Sequence, residues 1–120
     1  MRSPAARLIA VALAVVVVVL AATLLRQQPG PYVITAIDYH FHDAHPTLPI
    51  HPGRDLVVKN AGRNLHNVTI PALDIAADVA PADEFNVEDI AGRLEPGSYE
   101  ILCRFHEDRG MTGLIVIAGA

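Results

Sequence analysis

The chain has 120 residues, one cysteine, 13 acidic and nine basic side chains, and a formal net charge of −4. This length allows one domain, and a single cysteine excludes an internal disulfide. All 13 acidic residues but only six of the basic ones follow residue 30, so that part carries a charge of −7. The acidic balance argues against nucleic acid and anionic lipid headgroups as partners.

The N-terminal segment, residues 1–25, is strongly apolar. Its 18 residues from Leu8 to Leu25 carry no charge and would span about 27 Å as a helix, close to the thickness of a bilayer core. Two arginines precede the apolar run and one follows it. The positive-inside rule therefore predicts that the N-terminus stays in the cytoplasm and that the rest of the chain lies outside. We therefore expect a single-pass anchor in the cell membrane, with the domain on the periplasmic or extracellular side. A cleaved signal peptide is the alternative.

The exported part is expected to form one β-domain. Residues 26–31, "RQQPGP", are predicted to be a linker, and residues 32–120 the domain. Short β-type runs separated by turn signals predict an all-β, Greek-key sandwich. The predicted strands are "YVITAIDYHF" (32–41), residues 54–60, "LHNVTIP" (65–71), "EPGSYEILC" (95–103) and "MTGLIVIAG" (111–119).

Alternation within these runs predicts which residues share a face. The three expected sets are Val33, Ile37, Tyr39 and Phe41; His66, Val68 and Ile70; and Tyr99, Ile101 and Cys103. Residues 71–93 are rich in alanine and acidic side chains and form an excursion between strands, with a short helix expected at 72–79.

The stretch "CRFHEDRGM" (103–111) carries three side chains that can bind a metal, Cys103, His106 and Met111, and His66 provides a fourth. Singly, each would more often be a core residue. Together they are the His₂Cys set with an axial methionine that holds type 1 copper. The thiolate and thioether favour Cu(I), whereas imidazole accepts both oxidation states. A binuclear copper centre would need a second cysteine, a structural zinc site usually takes no methionine, and nothing indicates a cysteine hydrolase.

The chain resembles the cupredoxins of the plastocyanin and pseudoazurin type over about residues 32–118. The matching motifs are "LHNV" around His66, "PGSYEILC", the Cys-x-x-His-x-x-x-x-Met loop and "MTGLIVI". The resemblance implies an electron carrier with one type 1 copper ion per chain, bound by His66, Cys103, His106 and Met111, and no enzymatic activity. It also implies that the Asn67 N–H approaches the thiolate and that His106 lies at the surface as the electron port.

One residue of the ligand loop departs from the plastocyanin-like pattern. Phe105 stands where a proline often precedes the loop histidine. Unlike proline, phenylalanine has a backbone N–H. We expect this N–H to turn back towards the Cys103 sulfur as a second donor beside that of Asn67.

A redox protein is the expected donor or acceptor, and a basic cytochrome or a membrane oxidase would suit the acidic charge. The residues that could steer such a partner are Asp74, Asp78, Asp83, Glu84, Glu88 and Asp89. An alternative function is copper binding or delivery that also uses the tract of His40, His42, His45 and His51. A third is a copper-free interaction module.

Overall fold

The computed structural model describes residues 3–26, 29–44 and 48–119. Residues 27 and 28 of the predicted linker, and His45, lie outside the described residues. One helix is followed by eight strands: α1 Pro4–Arg26, β1 Tyr32–Ile37, β2 His40–His42, β3 Leu56–Asn60, β4 His66–Ile70, β5 Ile75–Val79, β6 Glu84–Val87, β7 Gly97–Leu102 and β8 Thr112–Ile117.

The strands form two four-stranded sheets, with the orders β2-β1-β3-β6 and β5-β4-β7-β8. Strands β1 and β3 are parallel, and the other neighbours within each sheet are antiparallel. Apolar side chains from both sheets fill one core between them, including Ile34, Leu56, Val58, Val68, Ile70, Ile101 and Ile115. The predicted all-β sandwich is therefore confirmed, as is the apolar helix that precedes it.

The segment predicted as one first strand forms two antiparallel strands, β1 and β2. The residues predicted to lie on its buried face are also partly wrong. Asp38 has a positive φ of 51°, and the turn at residues 38–39 separates β1 from β2. Within β1 the buried residues are Tyr32, Ile34 and Ala36, so Val33 and Ile37 face the other way. Nearly every β1 residue is apolar, and alternation alone therefore could not select the buried face. Phe41 is buried as expected.

The helix predicted at 72–79 is also wrong. A short 3₁₀ turn at Pro71–Leu73 ends at Asp74, whose φ of 54° breaks the helical path. The following residues form β5, which pairs with β4 along its whole length. Ladder hydrogen bonds to β4 override the helix propensity of the alanines. Val79 is buried at the end of the strand while Asp78 points outwards, so the acidic excursion contributes a strand to the sheet.

The strands around the metal-binding side chains agree with their predicted faces. His66, Val68 and Ile70 of β4 are fully buried, as are Ile101 of β7 and the adjoining Cys103. The strand expected at 54–60 begins two residues later, at Leu56.

Helix α1 is long and apolar enough to cross a membrane, and it is the one such helix in the described part of the chain. Its 23 residues extend about 35 Å at 1.5 Å per residue. The described leucine, isoleucine and valine side chains along it are all exposed, so no sandwich core covers them.

Buried Asn60 joins the two sheets just before β4. Its Nδ2 donates to the carbonyl oxygens of Asn64 and Val79, both at 2.8 Å, and its Oδ1 accepts from the Gly62 N–H at 3.0 Å. Because β3 and β5 belong to different sheets, these bonds fix the loop that leads to His66.

We predict that Asn60→Ala lowers the free energy of unfolding by about 3 kcal/mol, since three hydrogen bonds of about 1 kcal/mol each are lost. Urea unfolding of the full chain in detergent measures this change. Asn86→Ala is the matched control, because Asn86 is exposed and makes one side-chain bond of 3.3 Å to Asp55. Equal losses in both variants would contradict a special role for Asn60.

Candidate metal centre

His66 is a fully buried histidine whose two ring nitrogens have no hydrogen-bond partner among the described residues. It is the first residue of β4, where its pairing with Val79 of β5 fixes the backbone. An unsatisfied polar group in a protein interior is costly and rare. A buried neutral imidazole whose unprotonated nitrogen accepts no hydrogen bond fits a metal ligand.

The same end of the sheet brings two further donor side chains to His66. One donor atom from each of His66, Cys103 and His106 can be chosen so that all three lie within 4.8 Å of one another. The Cys103 Sγ is 3.5 Å from the His106 Nδ1, and the His66 and His106 ring centroids are 5.2 Å apart. The described residues contain no other such cluster of three or more histidine, cysteine or acidic side chains.

Backbone hydrogen bonds clamp the loop that carries Cys103, His106 and Met111. The Cys103 N–H donates to the Met111 carbonyl at 3.0 Å, and the Met111 N–H donates to the His106 carbonyl at 3.1 Å. Between them, a 3₁₀ turn at Glu107–Arg109 ends at Gly110, whose φ of 82° favours glycine. The loop therefore holds the backbone of Met111, whose side chain is fully buried, next to that of Cys103.

The Asn67 backbone N–H donates to the Cys103 Sγ at 3.3 Å, as the resemblance implied. Asn67 follows His66 directly, so this contact joins the two segments that supply the donor side chains. Among the described residues it is the one backbone N–H that reaches the sulfur. The second bond predicted from Phe105 is not formed among the described residues, where the loop instead turns through a hydrogen bond from the His106 N–H to the Cys103 carbonyl.

A polar bridge that sequence analysis missed supports the same junction. The Asp78 carboxylate accepts from the Asn67 Nδ2 at 2.9 Å and from the Arg104 guanidinium at 3.2 Å. Asp78 lies opposite Asn67 in the β4–β5 ladder, while Arg104 follows Cys103 in sequence. The bridge therefore links β5 to the loop that carries Cys103, His106 and Met111. In the sequence, only an alternation of apolar and polar residues over 75–79 could have indicated that Asp78 lies on a strand. Alanines within this segment make that alternation unrecognisable.

Tyr39 and Arg109 cover one side of His106. The Tyr39 and His106 ring centroids are 5.0 Å apart in an edge-to-face arrangement, and the Arg109 guanidinium lies 4.6 Å from the centre of the Tyr39 ring. Both contacts are of the kind that fixes aromatic side chains. Tyr39 comes from the β1–β2 turn, so a residue predicted for the core face instead packs on His106, one of the candidate ligands.

The donor set fits a copper ion of the type 1 class. Two imidazoles, a thiol and a nearby buried thioether are present, and the fold holds three of the four side chains fully buried. Such a mixture of soft and intermediate ligands accommodates both Cu(I) and Cu(II).

The family model described as a cupredoxin-like domain matches residues 9–117. The chain belongs to the cupredoxin-like family. A comparison with curated protein sequences gives no significant match.

Solved structures show the same fold at low sequence identity. A mutant plastocyanin of fern, solved oxidised and reduced, is 13% identical with a TM-score of 0.58, covering 72% of this chain and 99% of that one. A Cu(I) form of an amicyanin mutant is 20% identical with a TM-score of 0.57, covering 75% and 84%. Amicyanin from Paracoccus versutus is 18% identical with a TM-score of 0.55, covering 73% and 81%.

We predict that the metal-free protein loses stability as the pH falls below 6.5, the ordinary pKa of histidine. Burial lowers the pKa of His66, the neighbouring His106 lowers it further, and Asp38 partly opposes both. The unfolded chain then binds the proton more tightly, so acid favours unfolding, by at most about 1.4 kcal/mol per pH unit for one proton.

Urea unfolding at pH 7.5 and pH 5.5 measures this dependence. His66→Leu should flatten it, whereas His51→Gln, which alters an exposed histidine, should leave it unchanged. The same pH dependence in His66→Leu as in the unsubstituted chain would show that His66 is not the group responsible.

Proposed function

We propose that the protein is a membrane-anchored, extracytoplasmic electron carrier that holds one copper ion through His66, Cys103, His106 and Met111. The observation that carries the proposal is the convergence of buried His66 and Cys103 with the partly exposed His106 at one end of the sandwich. Copper in such a site takes up and releases a single electron, and the amicyanin and plastocyanin structures include Cu(I), reduced and oxidised forms. The chain itself would carry out no bond chemistry.

His106 is the proposed electron port. Of the four proposed ligands it alone is partly exposed, whereas His66, Cys103 and Met111 are fully buried. Its ring therefore provides the shortest route from the site to the surface.

The docking surface proposed for a partner is the apolar rim of Leu65 and Phe105. Leu65 precedes His66 and is 46% exposed, and Phe105 precedes His106 and is 40% exposed. Exposed apolar side chains beside a redox site favour docking of a partner, because the partner buries them on contact. Such a contact needs no specific ion pair and can therefore be brief.

The partner is proposed to be a basic redox protein, such as a cytochrome or a membrane oxidase. The acidic charge of −7 after residue 30 would speed its approach. Some of the expected steering carboxylates have partners within the chain, since Asp78 pairs with Arg104, Glu84 lies 3.9 Å from Lys59, and Asp89 caps a 3₁₀ turn. Steering then rests mainly on the exposed Asp74, Asp83 and Glu88.

The proposed division of the chain follows from the helix and the sandwich. Residues 1–25 would anchor the protein or serve as a signal segment, 26–31 would form the linker, and 32–120 the copper-binding domain. The helix that ends at Arg26 and the first strand at Tyr32 support this division.

We predict that the full chain, loaded with Cu(II) in detergent, shows an intense visible absorption from thiolate-to-copper charge transfer. Cys103→Ser should abolish this band, because it removes the thiolate. Met111→Leu is the matched control: Met111 is equally buried in the same loop, and its weak thioether tunes the site without producing the colour. Absorption spectra of the copper-loaded variants measure both effects, and a band that survives in Cys103→Ser would contradict the proposed ligand set.

A further inference from the structure

A pair of exposed histidines lies outside the proposed copper centre. His40 and His42 are the first and last residues of β2, and both are exposed, whereas Phe41 between them is buried. Because side chains alternate along a strand, the two imidazoles leave the same outward face.

The spacing of the two rings suits a shared metal ion. Their centroids are 6.0 Å apart, with an angle of 77° between the ring planes. At a metal–nitrogen distance of about 2.0 Å, two imidazoles on one ion have centroids about 4.5 to 6.5 Å apart, depending on the angle at the metal. The observed separation falls within this range, so binding would need only side-chain rotation.

The backbone beneath the pair is already fixed. His40 pairs with Ile37 of β1 and His42 with Thr35, so β2 is held by its neighbour across its whole length. Strand β2 is also the outermost strand of its sheet, and both histidines on its outward face are exposed. A fixed backbone reduces the entropy lost when both rings are ordered on an ion.

The local charge favours a cation. Asp38 and Asp43 flank β2, and neither takes part in an ion pair among the described residues. Two uncompensated carboxylates lower the electrostatic cost of holding a dication nearby.

We propose that His40 and His42 bind one divalent late first-row metal ion as a second site, with Cu(II) preferred. Imidazole nitrogens suit nickel, copper and zinc, and at a given nitrogen site Cu(II) binds most tightly. Water would complete the coordination. The site contains no sulfur and therefore lacks the intense charge-transfer colour expected of the Cys103 centre.

The second site does not depend on the proposed electron-carrier function, because it shares no ligand with it. The histidine pair nevertheless begins one residue from a contact with that centre, since Tyr39, the residue before His40, packs on His106. An ion held there would make the protein a carrier of copper ions as well as electrons.

Titration of the full chain with Cu(II) in detergent tests the proposal, with electron paramagnetic resonance and visible absorption recorded together. We expect a second copper ion per chain with a nitrogen-coordinated, nearly colourless signal. His40→Gln or His42→Gln should weaken binding of this ion at least about tenfold, which corresponds to 1.4 kcal/mol. The absorption band that depends on Cys103 should stay unchanged in both variants.

His51→Gln is the matched control, since His51 is an exposed histidine outside β2. The proposal is overturned if the double variant His40→Gln/His42→Gln retains the second ion, or if His51→Gln loses it equally. Because the two signals are separate, absence of the coloured band alone would contradict the electron-carrier proposal and leave the histidine pair standing.

Discussion

The hydrogen bond from the Asn67 N–H to the Cys103 sulfur is the contact on which the centre depends. It joins the start of β4 to the end of β7 at 3.3 Å and so sets the distance between His66 and the loop that carries His106 and Met111. Further hydrogen bonds hold both of the segments that this contact joins. Asn60 ties the loop before His66 to β5, and the Asp78 carboxylate joins Asn67 to Arg104. The candidate ligands His66, Cys103 and His106 are therefore brought together by the folded chain itself.

Within the described part of the chain, this arrangement leaves His66 with two unpartnered ring nitrogens, one of which a metal ion would occupy. Fully buried His66 has no hydrogen-bond partner for either ring nitrogen among the described residues, and burial lowers its pKa, so the neutral ring is favoured. A neutral imidazole is the form that binds a metal. The stability of the metal-free chain and its affinity for copper are thus linked at this residue. The bonds that clamp the loop limit its rearrangement, as an efficient one-electron carrier requires.

The sequence predicted the sandwich and the candidate site better than the segments between them. The strands of His66 and Cys103 alternate clearly, and the order of the four candidate ligands is distinctive. In contrast, β1 is apolar on both faces, and the prediction therefore selected the wrong buried side. Residues 75–79 have helix-forming alanines whose strand state depends on pairing with β4. Contacts across the fold, such as Asp78 with Arg104 and Tyr39 with His106, join residues far apart in sequence and could not be inferred from local patterns.

X-ray absorption at the copper edge of the His40→Gln/His42→Gln variant, loaded with one copper ion per chain and measured in both oxidation states, tests the central claim most directly. A centre set by the fold predicts the same short shell of two imidazole nitrogens and one sulfur in Cu(II) and Cu(I), with only small changes in distance. A shell without sulfur, or one that gains or loses a strong ligand on reduction, would contradict a copper centre formed by His66, Cys103 and His106.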